Sequence, residues 1–155
     1  MKLVFGDAED RIITSEERVE ELAGEGFLFE ACASQAMIVE ALMSLAMFTA
    51  VSAREDLSDI GLAHGVQGSA FGKLIELEAR LRVFEDPELA ELLEEYARRR
   101  AFLVDRHLPE LHNFDYPAFL HTGRELLAAL KDAYRTHAYE LLEKQGLPTD
   151  SLFER

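Results

Sequence analysis

Residues 98–107 read RRRAFLVDRH: four arginines, an aspartate and a histidine inside a stretch of helical character. An arginine and a histidine suffice for one reaction without a metal, cleavage of an RNA backbone. The planar guanidinium holds two phosphate oxygens and offsets the charge that develops on phosphorus. The imidazole, titrating near neutrality, takes the 2′-hydroxyl proton or protonates the leaving oxygen. Because the 2′-hydroxyl is the internal nucleophile, DNA would be spared. With Arg100 at zero on a helical wheel, Leu89, Leu93, Tyr96, Ala97, Leu103 and Val104 lie within about 60°, and His107 about 20° away. Arg98, Arg99, Asp105 and Arg106 fall on the flanks or the far side. One arginine and one histidine, two turns apart, therefore share the centre of an apolar stripe.

Each of these residues also has a purely structural reading. Glu94 and Glu95 stand four positions before Arg98 and Arg99, the orientation that stabilises a helix by roughly 0.2–0.5 kcal/mol per pair. Four positions before Arg100 stands Tyr96, so its guanidinium needs a partner across the bundle, at an interface or in a ligand. Glu30 and Glu40 are the structural candidates. His107 precedes Leu108-Pro109, and a cation at a helix C-terminus is favoured by the dipole. The chemical assignment makes Arg100 and His107 the catalytic candidates, with Arg99 and Arg106 contacting the RNA backbone.

The elements that must position these residues are helical. In 155 residues the chain is rich in Leu, Ala and Glu and poor in Val, Ile, Thr, Gly and Pro, a balance that favours helix over sheet. Residues 1–14 read as a lead-in, and "TSEE" at Thr14–Glu17 has the spacing of a capping box. Gly24 and Gly26 end a first helix. In the next stretch, Phe27–Ala53, every residue except Glu30, Ser34, Gln35, Glu40, Ser44, Thr49 and Ser52 is apolar. Such a helix is long enough to span a membrane. Glu40 near its middle, with the Ser, Gln and Ala content, argues instead for the central helix of a bundle or one face of a dimer interface. Residues 54–70 read as a loop, and a third helix runs from Phe71 to Phe84. A fourth, capped by Asp86 with Pro87 leading, continues to His107. A fifth, capped by Asp115, carries a stripe from Phe119 through Leu141 and stops at Gly146-Leu147-Pro148. The expected architecture is an all-α, up-and-down bundle of four to five helices in one domain, residues 15–146, with a C-terminal tail at 147–155.

Several other chemistries find no pattern. The five histidines (64, 107, 112, 121 and 137) make no repeated E-x-x-H pair on two helices, so no metal and no cofactor is expected. His137 reads as a satisfied boundary side chain. Cys32 sits inside the greasy helix, where a thiolate is penalised, and a lone cysteine fits a reducing, cytoplasmic setting. No Gly-rich phosphate loop is present. Met37, Met43 and Met47 suit an adaptable interface, although core packing is the commoner use of methionine. The formal net charge of −14 disfavours general nucleic-acid binding, yet screening over about 8–10 Å leaves room for a local basic site.

The stretch FGKLIELEARLRVFEDPELAELLEEYARRRAFLVDRHLPE, residues 71–110, resembles the HEPN superfamily of helical prokaryotic toxin and defence domains. The carrier of the resemblance is an arginine followed, after four to six residues, by a histidine, met here by Arg100 and His107. The preceding GEGFLFEACASQAMIVEAL looks like the long helix that leads such domains. The resemblance implies a homodimer, RNA as target and a protein partner such as an antitoxin. Here Ala101 stands where the commoner motif has Asn, and Asp105 where it has His, which implies weak or lost ribonuclease activity. A different class of function fits the same helices: a non-enzymatic regulator or protein-interaction scaffold, similar to mannitol-repressor-like transcription regulators. An Arg100 in an open cleft across a twofold axis favours phosphate chemistry; an Arg100 with a buried carboxylate partner favours a structural role.

Overall fold

The computed structural model describes residues 2–54, 56, 66, 69–105 and 113–147, without the side chains of 2–6, 104 and 105. Among these residues the chain forms five α-helices and no strand: α1 (Lys2–Gly24), α2 (Leu28–Ala53), α3 (Phe71–Leu81), α4 (Pro87–Asp105) and α5 (Tyr116–Lys144). The all-α expectation holds. The lead-in is corrected, because α1 already starts at Lys2 and Thr14–Glu17 lie inside it. No proline interrupts residues 2–13 and the helix runs through Gly6, while buried Glu9, Ile12 and Val19 continue one face, so the capping-box pattern goes unused.

The helix ends follow local chemistry. After α1, Gly26 takes φ +87°, while the Gly26 and Phe27 amides donate to the Ala23 and Leu22 carbonyls at 3.1 and 2.9 Å. After α5, Gly146 takes φ +67°, and the Gly146 and Leu147 amides donate to Glu143 and Leu142 at 3.0 and 2.9 Å. Both ends are Schellman turns, whose left-handed residue favours glycine. Helix α3 stops three residues earlier than its apolar pattern suggests. Arg82 adopts φ 49°, and the buried Glu78 carboxylate accepts from the Phe84 amide at 3.3 Å; burial raises that carboxyl's pKa. Asp86 caps α4 by accepting from the Glu88 amide at 3.0 Å, and Asp115 caps α5 by accepting from Ala118 at 3.0 Å. Both caps match the sequence reading.

Helix α2 is the hub. It packs most extensively on α5, next on α1 and then on α3, while α4 packs on α5 and α3. It is the one described helix long and apolar enough to cross a membrane, and 61% of its most apolar window is buried inside the fold. Arg54, just past α2, donates to the Arg82 and Val83 carbonyls beyond the end of α3, so the carboxyl-terminal ends of these two helices meet. Ser44 on α2 donates to the Val66 carbonyl at 3.4 Å.

Along α1 the contacts with α5 are mostly polar. Tyr134 donates to buried Glu9 at 2.8 Å, Lys131 to Glu16 at 2.5 Å, and Arg124 makes a two-pronged contact with Glu20 at 2.8 and 3.0 Å. The α2–α5 contact is closer. Buried Gln35 donates to the Leu120 carbonyl at 2.9 Å and accepts from the Tyr96 hydroxyl at 3.4 Å. A Cβ at Gly123 would lie 2.0 Å from the Gln35 side-chain oxygen. Gly123→Ala should lower stability in denaturant unfolding by about 1–2 kcal/mol, because displacing Gln35 from its partners outweighs the roughly 1 kcal/mol that alanine gains over glycine in a helix. In a Gln35→Ala background the same change should instead stabilise; a loss of equal size there would refute the steric account.

Candidate functional site

Arg100 lies on α4 where the amino-terminal end of α3 meets the middle of α2. One terminal guanidinium nitrogen donates to Glu40 of α2 at 2.9 Å, and its Cζ sits 4.7 Å from the centre of the Phe71 ring. The Arg100 side chain is 24% exposed and that of Glu40 35%. Of the two structural candidates read from sequence, Glu40 is therefore the partner, while Glu30 is exposed at the start of α2. The Arg100 Nε atom is buried with no hydrogen-bond partner among the described residues.

Beneath this pair stands an aromatic column. The Phe71 and Tyr96 rings meet edge-on at 6.2 Å, and Tyr96 stacks tilted on Phe119 at 4.8 Å. Phe114 follows at 5.6 Å from Phe119 and 5.0 Å from Tyr116. Burial raises the Tyr96 phenol pKa, the nearby Cys32 adds to the rise, and Arg100 opposes it. The column explains why Arg100 faces inward: Leu89, Leu93, Tyr96 and Leu103 of its own stripe are buried, and the guanidinium caps their edge with its Cζ over the Phe71 ring and its charge on Glu40.

Chemically, this guanidinium is already engaged. A phosphate would have to displace the Glu40 carboxylate or approach past it, against like charge. Arg99, the expected RNA contact, instead donates to Glu95 at 2.9 and 3.2 Å, the i,i+4 pair foreseen in the sequence. His107 and Arg106 lie outside the described residues, as do His64 and His112, so Arg100 and Arg99 are the expected site residues that can be placed. No group of His, Cys, Asp and Glu suited to a metal occurs among the described residues.

His137 differs from its sequence reading. It is half-buried, its Nδ1 is buried without a partner among the described residues, and burial lowers its pKa, with Glu140 and Glu85 opposing and Arg54 adding to the fall. The methionines divide as well: Met43 and Met47 are fully buried, whereas Met37 is 74% exposed. Sequence reasoning missed the Gln35–Tyr96–Gly123 contact and the Glu9–Tyr134 bond. A glutamine amid the apolar run and a glycine inside a long helical stripe were the available signals for the first. No protein-family model, curated protein or solved structure matches the chain.

Two measurements check this arrangement. A double-mutant cycle of Arg100→Ala and Glu40→Ala should return a coupling of about 1 kcal/mol, the size expected of a partly exposed pair; zero coupling would remove the pair from the account. Burial pushes the Cys32 thiol up to about 12, and its Sγ lies 3.7 Å from the Tyr116 carbonyl. The native protein at pH 8 should therefore resist a disulfide reagent until unfolded, and rapid native labelling would contradict the burial.

Proposed function

We propose that the chain is a non-enzymatic helical interaction module, a regulator or scaffold, in which Arg100 is a structural cation rather than a catalytic one. The observation that carries this reading is the Arg100–Glu40 pair laid over Phe71. A phosphate-binding arginine must present its donors where charge develops. This one spends a donor on a carboxylate of the same chain and lies over an aromatic ring.

The second reading is a HEPN-like, RNA-directed protein with weak or lost ribonuclease activity, working beside a protein partner in a toxin–antitoxin or defence setting. What favours it is the orphaned Arg100 Nε and the side chain's remaining exposure. On that reading His107 is the acid/base and Arg106 an RNA contact.

The two readings part in one assay. Purified protein incubated with single-stranded RNA in EDTA should give no cleavage above a no-protein control. Cleavage that His107→Ala abolishes would overturn the module reading and install the nuclease one.

A further inference from the structure

We propose that α1 is a displaceable cover, and that the seam beneath it, between α2 and α5, is where an acidic amphipathic helix of a partner protein docks in its place. The proposal deepens the interaction-module reading and rests on it.

Three observations carry it. First, the seam already displays the chemistry of its ligand. Arg124, Lys131 and Tyr134 stand seven and then three residues apart on α5, so they share one face. They donate to Glu20, Glu16 and Glu9 of α1, and buried Ile12 and Val19 interleave with those carboxylates. Read along α1, the recognised pattern is a carboxylate, an apolar residue three on and a carboxylate four further on. An apolar residue then follows after three, with a carboxylate beside it. Another helix carrying this pattern offers the seam the same contacts, and the spacing of the three donors selects it.

Second, α1 is thinly anchored. Among its described side chains only Ile12 and Val19 are both apolar and buried, in a helix of 23 residues. It does not fill its side of α2: Ala8 and Ile12 meet Ala41, Leu45 and Phe48 around an apolar groove of about 320 Å³. Its pair with Arg124 is open to water, 46% exposed on the arginine and 54% on the glutamate, and such pairs add little to stability. Elements held by few buried apolar contacts open ahead of the rest of a fold.

Third, the connection and the charge favour release. A Cβ at Gly24 or Gly26 would meet nothing within 4 Å, so neither glycine of the turn joining α1 to α2 is packed in place. Helix α1 carries seven acidic residues against three basic ones, and the remainder of the chain is also net acidic. Away from its three donors, the body therefore repels this helix.

Hydrogen exchange on the full chain should show the α1 amides exchanging together, roughly tenfold or more faster than those of α2 and α5. Exchange of α1 no faster than that of α5 overturns the proposal. Docking is read by the anisotropy of a fluorescent peptide of residues 2–26 added to the full chain. Arg124→Glu sets a like charge against Glu20 of the resident helix. That variant should bind a Glu20→Arg peptide roughly tenfold or more tightly than the wild-type peptide, and the wild-type chain should show the reverse preference. Helical circular dichroism should not change, because both positions are about half exposed. The resident helix competes at high effective concentration, so the variant, with its cover weakened, should also bind its matched peptide more tightly than the wild-type chain binds its own. No binding by either chain overturns the proposal, as does binding indifferent to the charge swap. The result is separable from the RNA assay: a chain that binds no peptide and leaves RNA intact loses this docking site and keeps the module, whereas RNA cleavage removes the module reading and this proposal with it.

Discussion

Everything in this fold answers the need to take α2 out of water. Its 26 residues are apolar nearly all round, and a helix of that kind is stable only where neighbours cover it. Helices α5, α1 and α3 pack against it, leaving one face in contact with solvent, where Glu30 is exposed and Ser34, Glu40, Ser44 and Ser52 are half-buried. Core residues from α2 such as Val39, Leu42, Met43 and Met47 are fully buried and meet Phe119, Leu126 and Leu130 of α5 in one continuous cluster. At about 1.5–3 kcal/mol for each fully buried large apolar side chain, this contact dominates whatever the surface ion pairs add.

The polar groups drawn inside by that packing are handled one by one. Gln35 is bonded at both ends of its amide, Thr49 donates back to the Ala46 carbonyl at 2.8 Å, and Glu9 accepts from Tyr134. Arg100 belongs to this set. Its charge is offset by Glu40 and its flat face by Phe71, so the one basic residue on the inner stripe of α4 links α2, α3 and α4 at a single point. Its Nε has no hydrogen-bond partner among the described residues, a cost tolerable at an edge that retains some solvent.

Much of this was legible in the sequence because local rules and tertiary packing agreed. Asp86 and Asp115 announced their helices, Gly26 and Gly146 ended theirs, and the stripe on α5 held as far as Tyr134. Near its end the burial passes to Leu142 while Leu141 is only half-buried, the drift expected of a 3.6-residue period. The start of α1 was misread because a cap-like Thr14 suggests a boundary whatever precedes it, and only the burial of Glu9 and Ile12 reveals continuity. The Arg100–Glu40 contact was half legible: phase showed that the arginine faces inward, but the choice between Glu30 and Glu40 depends on how far α4 slides along α2. That offset is set by the aromatic column and has no signature along the chain.

The seam between α1 and α5 has a consequence for specificity. Two buried apolar residues of α1, Ile12 and Val19, stand seven residues apart, close to two helical turns, and greasy contacts of that kind tolerate a slide of one turn. Glu9, Glu16 and Glu20, spaced seven and then four, meet Tyr134, Lys131 and Arg124, spaced three and then seven. The two unequal scales coincide at one setting only, as on a vernier. These side chains thus contribute less to how tightly α1 is held than to where along its neighbour it stops.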